Sequence, residues 1–164
     1  MSKPFLENVA LDHDLLLEFF ITFARFEFAL KNGGFVTGDL QGAKPNWRQF
    51  AGSLDVGHAR LDPKCAAAVD YFQLHPPWRQ VMTSAGLAWD STVGFTKLER
   101  MEQVLELVRR VRNNLFHGGK FSDHLHSAPG RNELLLRHSL AVLSRCLELS
   151  ASVSASYDTA ALIS

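Results

Sequence analysis

The chain has 164 residues, of which 46% are apolar and 21% charged, and its formal net charge at neutral pH is zero. This length and composition predict one soluble domain spanning residues 1–164, with an ordered core over about residues 5–156. Zero net charge argues against a protein that binds long nucleic-acid duplexes by bulk electrostatics, although a local basic patch is compatible with it.

Cysteine usage and the start of the chain predict the compartment. Cys65 and Cys146 lie far apart and lack CxxC spacing, which is typical of buried thiols in a reducing cytosol. Residues 1–11 contain neither the basic region nor the continuous apolar region of a signal peptide. We therefore expect a cytoplasmic protein that does not interact with membranes.

A long amphipathic helix is predicted over residues 11–32. Its apolar residues recur at intervals of three and four, and charged residues interrupt them too often for a membrane span. Asp12 or Asp14 provides the N-cap, and the Asn-Gly-Gly sequence at residues 32–34 ends the helix.

The middle of the chain alternates predicted loops with short helices. Residues 35–44 are glycine-rich and polar, which indicates a loop, and residues 46–54 fit a short helix. Residues 62–74 form another helix that begins with Asp-Pro, a favoured N-cap and first-turn pair. Residues 78–95 show no regular apolar spacing and are predicted to be irregular.

Two more long helices are predicted in the second half. Residues 97–115 carry the spacing of an amphipathic helix, residues 121–130 form a loop, and residues 132–156 form the last helix. The tail, residues 157–164, is predicted to fray. The expected fold is therefore all-α, a bundle of about five helices with two long helices, a long C-terminal helix and short connecting helices.

The chemically richest stretch is residues 109–120, which read Arg-Arg-Val-Arg-Asn-Asn-Leu-Phe-His-Gly-Gly-Lys. The two glycines place His117 at or near a helix C-terminus. There the helix dipole favours the protonated imidazole, while the nearby arginines disfavour it. A histidine that titrates near neutrality can both accept and donate a proton.

This stretch resembles the HEPN family of small helical domains. Its ribonuclease members carry an arginine, a polar residue, a short spacer and a histidine, and here residues 112–117 read Arg-Asn-Asn-Leu-Phe-His, followed by glycine. Residues 23–31, Phe-Ala-Arg-Phe-Glu-Phe-Ala-Leu-Lys, are similar to the first helix of some bacterial HEPN proteins. The resemblance implies a homodimer with the motif at its interface, and a role in toxin or antiviral defence systems with an antitoxin or other protein partner.

Helical geometry alone gives a partial picture of this site. Arg112 and His117 would point about 140° apart with about 7.5 Å of rise between them, so one ideal helix does not easily close both on one phosphate. Arg109, Asn113 and His117 are spaced by four and form one polar stripe. Two copies packed around a two-fold axis would bring two such stripes together.

The chemistry implied is metal-independent cleavage of RNA through its own 2′-hydroxyl, with no cofactor. His117 would act as general acid or base, Arg112 would hold the phosphate in the transition state, and Asn113 would orient them by hydrogen bonding. The products would be a 2′,3′-cyclic phosphate and a 5′-hydroxyl. DNA, which lacks the attacking group, would not be cut.

Further residues are candidates for supporting roles. Arg109, Lys120 and Asn114 are candidate RNA-binding residues. Glu27 is a candidate for orienting Arg112 or His117, although surface or structural pairing is the alternative role for this carboxylate. His117, Asp123, His124 and His126 lack the i, i+4 spacing of a zinc-binding helix, and no metal is expected.

Three alternatives to catalysis are left open by the sequence. Arg112 and His117 could simply cap carbonyl groups at a helix end. A HEPN-like module could bind RNA or a partner protein without cutting. The chain could also receive a nucleotide from a partner enzyme on Tyr71 or Tyr157, although neither tyrosine is near the motif in sequence.

Overall fold

The structure, a computed structural model, describes residues 11–54, 61–91, 101–116 and 130–160. These residues form helices and two β-hairpins. The helices are α1 (His13–Asn32), α2 (Trp47–Ser53), α3 (Pro63–Leu74), α4 (Met101–Phe116), α5 (Arg131–Leu149) and α6 (Ala151–Ala160). The strands are β1 (Val36–Asp39), β2 (Gly42–Pro45), β3 (Arg79–Thr83) and β4 (Gly86–Asp90).

Side-chain caps set the starts of the first three helices. Asp12, Asn46 and Asp62 each accept hydrogen bonds from backbone N–H groups two or three residues further along the chain. Each cap satisfies donors that the first turn of a helix leaves unpaired. Of the two N-caps predicted for the first helix, Asp12 is the one used and Asp14 is not, and the predicted N-cap at Asp62 is confirmed.

α1 is at the centre of the hydrophobic core. Its buried face follows the predicted spacing and carries Phe19, Phe23 and Phe26, and the Phe26 ring stacks on Trp47 of α2 at 5.4 Å between ring centres. The opposite face leaves Leu17 and other apolar side chains exposed. Within the described ranges, no helix combines the length and the apolar character that crossing a membrane would require.

The all-α prediction is wrong, because the described residues also form two antiparallel β-hairpins. β1 pairs with β2 in the region predicted as a loop, and β3 pairs with β4 in the region predicted as irregular. All four residues of β1 are exposed, as are four of the five in β3. Because neither hairpin buries one face fully in the core, the sequence lacks the alternation of apolar and polar residues that identifies a strand.

Both hairpins turn through two residues. Asp39 lies opposite Gly42, and Thr83 lies opposite Gly86. Gly38 has a φ angle of 126°, and a Cβ atom at this position would overlap the carbonyl oxygen of Gly42. The first hairpin therefore requires glycine at position 38.

The predicted last helix is two helices, α5 and α6, separated at Ser150, whose backbone is extended. α6 packs against α1: the Arg25 guanidinium lies 4.0 Å from the centre of the Tyr157 ring, and its Nη2 donates to the Tyr157 carbonyl at 2.9 Å. Tyr157 therefore belongs to a packed helix and not to a frayed tail. The break at Ser150 turns the chain, and the contact between Arg25 and Tyr157 holds α6 against α1.

The two cysteines lie in the core, on α3 and α5. Both are free thiols and both are buried, as predicted. Burial raises the pKa of Cys65 to about 11 and raises the pKa of Cys146 as well. Both thiols are therefore protonated at neutral pH and are weak nucleophiles.

Candidate functional site

α4 presents the arginine-rich half of the motif. Val104, Leu105, Val108 and Val111 bury one side of this helix in the core. Arg112, four residues after Val108 and seven after Leu105, continues this side at the end of the helix, while Arg109 and Asn113 lie beside it. His117 and Lys120 lie outside the described residues, as do Asp123, His124 and His126. The structure therefore locates the arginine and asparagine side of the predicted site.

Arg112 is held against aromatic rings and has no counterion among the described residues. Its guanidinium carbon lies 4.3 Å from the centre of the Phe116 ring and 5.7 Å from that of Phe23. Nη1 donates to Oδ1 of Asn113 at 3.1 Å. Nε is inaccessible to solvent and has no hydrogen-bond partner in the described part of the chain.

The rings around Arg112 belong to a longer aromatic run along α1. Phe20 packs edge-on against Phe116 at 4.7 Å, and Phe23 contacts Trp47 at 5.4 Å between ring centres. This packing fixes the end of α4 on α1. It also surrounds a cation with apolar faces, which strengthens electrostatic attraction to any anion that reaches it.

Arg109 and Asn113, predicted to share a polar stripe, have different surroundings. Arg109 forms an ion pair with Glu106 at 2.8 Å and lies 6.0 Å from the centre of the Trp47 ring. Asn113 is exposed and bonded to Arg112. Arg112 and Asn113 thus form one pair, and Arg109 belongs to a neighbouring region next to α2.

Asn114, a candidate RNA-binding residue, is engaged within the fold. Its side-chain amide donates to the Trp78 carbonyl at 2.7 Å. The two preceding carbonyls are bonded in the same way: Pro77 accepts from Arg110 at 3.4 Å, and Pro76 accepts from Arg131 at 2.7 Å. Two of these carbonyls belong to prolines, in a segment that joins α3 to β3. The side chains of α4 and α5 thereby satisfy backbone acceptors outside any helix or sheet.

The structural role of Arg110 was not predicted, because nothing in its spacing separates it from the other arginines of the motif. Only 9% of its surface is exposed. Burial lowers its pKa, and the nearby positive charge of Arg79 lowers it further. Arg110 therefore serves the fold, while Arg112 two residues later is directed to another face.

Glu27 lies beside Trp47, and the two are on α1 and α2. Its Oε1 accepts a hydrogen bond from the Trp47 indole N–H at 3.4 Å. Within the described ranges, it forms no ion pair with Arg112. This contact is a structural pairing, the alternative role given for Glu27 above, although the sequence did not indicate Trp47 as the partner.

A cleft of about 370 Å³ opens between α2 and α4. Buried Trp47 and Leu105 contribute to its lining. Charged side chains of both signs also line it: Arg48, Glu102, Glu106 and Arg109. The sequence carries no signal for this cleft, because its residues come from two helices that are far apart along the chain.

A separate aromatic cluster lies between α3 and α5. The Tyr71 ring stacks on His138 at 4.4 Å between ring centres and contacts His75 at 4.9 Å. Burial lowers the pKa of His138 and raises that of Tyr71. Over the residues that the structure describes, no three His, Cys, Asp or Glu side chains are placed to bind a metal ion.

Comparisons of the chain with protein-family models, with curated proteins and with solved structures give no significant match. Function is therefore inferred from the chemistry of Arg112 and its neighbours.

Proposed function

We propose that the protein is a metal-independent RNA endonuclease of the HEPN type. One observation carries the proposal: the Arg112 guanidinium is partly desolvated between aromatic rings and has no carboxylate partner within the described residues. A cation removed from water without a counterion costs free energy that an anionic ligand would recover. Arginine matches phosphate well, because its planar N–H groups can bind two oxygens at once.

In the proposed reaction, Arg112 binds the scissile phosphate and Asn113 holds the guanidinium through the bond to Nη1. His117 removes the proton from the 2′-hydroxyl, whose oxygen then attacks the adjacent phosphorus. The bond from phosphorus to the 5′-oxygen breaks, and a second histidine gives that oxygen its proton. The products are a 2′,3′-cyclic phosphate and a 5′-hydroxyl.

The second histidine would come from another copy of the chain. Support for this dimer comes from exposed apolar side chains on α1 and α4: Leu17 is 57% exposed, Ile21 50%, and Phe116, which contacts Arg112 and Phe20, 58%. Exposed apolar residues close together are typical of protein–protein interfaces. A two-fold arrangement through this surface would place two copies of Arg112 near one another.

The proposal includes a cytoplasmic toxin or defence role, restrained by an antitoxin or other protein. Free, buried Cys65 and Cys146 are consistent with a reducing compartment. A non-catalytic module that binds a protein is the competing function. It is favoured by Met82 and Leu87, which face each other across the second hairpin and are 76% and 69% exposed.

The test is cleavage of single-stranded and structured RNA by the purified protein in EDTA, with DNA of the same sequence as a negative control. We expect RNA products ending in a cyclic phosphate and intact DNA. His117→Ala should lower the cleavage rate by about 10²- to 10⁴-fold. Arg112→Ala should abolish cleavage, and Arg137→Ala, which changes an exposed arginine on α5, should have no effect.

Two results would overturn the proposal. One is RNA that stays intact with every substrate while the protein is folded. The other is cleavage that His117→Ala leaves unchanged, since this would identify a contaminating nuclease. Retained RNA binding without cleavage would instead support a non-catalytic module.

A further inference from the structure

We propose that the cleft between α2 and α4 binds the guanine base of the nucleotide whose phosphate contacts Arg112. This inference rests on the proposed function, because it treats the cleft as part of an RNA site. A volume of about 370 Å³ lies at the lower end of the roughly 300–1,000 Å³ typical of ligand pockets. Leu105 and Trp47 are the apolar residues of its lining, and only 1% and 6% of their surfaces are exposed.

The charged side chains of the cleft can exchange their present partners for a ligand. Glu102 and Arg48 pair at 3.4 Å, and their side chains are 48% and 87% exposed. Glu106 and Arg109 pair at 2.8 Å and are 48% and 41% exposed. Exposed ion pairs of this kind contribute little net free energy, so a ligand that offers matching hydrogen bonds can displace them.

Guanine is the RNA base that matches both charge types in the cleft. Its N1–H and N2–H groups form adjacent donors for a carboxylate, and its O6 and N7 form adjacent acceptors for an arginine. Adenine, cytosine and uracil each lack at least one of these paired sets. Glu102, and not Glu106, would accept from the donor pair, because its counterion Arg48 is more exposed than Arg109, the counterion of Glu106. Arg109 would donate to O6 and N7.

The cleft and Arg112 are close enough to serve one nucleotide. Arg109 and Arg112 are three residues apart on α4, which corresponds to about 4.5 Å of rise and about 60° of rotation. A chain of ring contacts also joins them: Arg109 lies over Trp47, Trp47 contacts Phe23, and Arg112 lies over Phe23. Single-stranded RNA is commonly bound in this way, with a splayed base in a pocket beside a phosphate contact.

Isothermal titration calorimetry with nucleosides and nucleoside 3′-phosphates tests the inference, because neither class of ligand contains a cleavable linkage. We expect guanosine 3′-phosphate to bind about 5- to 150-fold more tightly than the adenosine, cytidine and uridine compounds. Glu102→Gln should remove this preference, and Glu18→Gln on the exposed side of α1 should retain it. Arg112→Ala should weaken the binding of guanosine 3′-phosphate but leave the affinity for guanosine unchanged.

Equal affinity for all four bases, no binding by guanosine 3′-phosphate, or an undiminished preference in Glu102→Gln would overturn the inference. Selective guanine binding by a protein that leaves RNA intact would support it and reject the nuclease. Conversely, if the protein cleaves RNA but prefers guanine neither in calorimetry nor in its cleavage sites, the guanine site is rejected and the nuclease is supported. The two proposals therefore fail separately.

Discussion

The guanidinium of Arg112 lies over the ring of Phe116, 4.3 Å from its centre, although these residues are only four positions apart on α4. Residues four apart lie on the same side of a helix, so this contact is local and needs no rearrangement of the fold. The ring limits where the guanidinium can go and shields one of its faces from water. Phe116 is therefore a positioning residue for Arg112.

Replacing Phe116 with alanine should weaken RNA binding with little loss of stability. A cation–π contact at an exposed site contributes about 0.5–1 kcal/mol, which corresponds to a roughly 2- to 5-fold increase in Kd. The free energy of unfolding should fall by only about 0.5–1.5 kcal/mol, because 58% of Phe116 is exposed and its edge-on contact with Phe20 is the main packing lost. Fluorescence anisotropy with labelled RNA measures the binding, and urea denaturation measures the stability.

Phe116→Tyr is the matched control for this variant, since it keeps an aromatic face beneath Arg112. We expect its RNA affinity to equal that of the wild type. An alanine variant that binds RNA as tightly as the tyrosine variant would show that the ring does not position the guanidinium.

Asn113 and Asn114 are adjacent, and their variants should separate an effect on RNA binding from an effect on stability. Asn114→Ala removes the donor to the Trp78 carbonyl at 2.7 Å, and loss of this bond should lower the free energy of unfolding by about 1–3 kcal/mol. Asn113→Ala changes an exposed residue and should alter stability by less than about 0.5 kcal/mol. Urea denaturation of both variants provides this comparison.

RNA affinity should show the reverse order. Asn113→Ala releases the Arg112 guanidinium from its hydrogen bond and should weaken binding, while folded Asn114→Ala should bind normally. Weaker binding by Asn114→Ala at unchanged stability would show instead that Asn114 contacts RNA directly.

Most helices could be predicted from the sequence because they follow local rules, but the break at Ser150 between α5 and α6 was not predicted. The caps at Asp12 and Asp62 and the apolar spacing of α1 and α4 act within a few residues, and the structure contains them all. The hairpins follow weaker local signals. Their turns contain Leu40-Gln41 and Ser84-Ala85 in place of the Asn-Gly or Asp-Gly pairs that mark two-residue turns.

The candidate site was predictable only in part. Its residue types and their order lie in one stretch of sequence, so Arg112 and Asn113 could be identified together. The separate roles of Arg110 and Asn114 depend on carbonyls more than thirty residues away along the chain. No spacing rule within α4 contains that information, and the same holds for the cleft beside Trp47.

The contact between α1 and α6 should be sensitive to substitution of Gly33. A Cβ atom at this position would lie 2.9 Å from the Ala29 carbonyl oxygen and 3.2 Å from Cγ2 of buried Val153. Gly33→Ala should therefore strain the end of α1, press on Val153 of α6 and lower the free energy of unfolding by about 1–3 kcal/mol. Urea denaturation followed by circular dichroism measures the change.

Gly52→Ala provides the opposite control. A Cβ atom there would meet nothing within 4 Å, and the residue lies in α2. Alanine is favoured over glycine inside a helix by about 0.5–1 kcal/mol, so this variant should be slightly more stable than the wild type. Two variants of equal stability would show that α6 does not pack closely on Gly33.

Stability should fall in mild acid partly because of His138. Its ring stacks on Tyr71, and burial lowers its pKa. The unfolded chain therefore binds a proton on this residue at a higher pH than the folded chain does. The stabilisation is fully present above the ordinary histidine pKa of about 6.5, and is lost as the pH falls from there towards the lower pKa of the folded protein.

His138→Phe isolates this effect, because phenylalanine keeps a ring beside Tyr71 and cannot bind a proton. Urea denaturation at about pH 7.5 and about pH 5.5 should show a smaller loss of unfolding free energy in the variant than in the wild type. Groups that titrate elsewhere in the chain are common to both proteins and cancel in this comparison. An equal or larger loss in the variant would mean that protonation of His138 does not oppose folding, and that the ring stack accommodates the charged imidazole.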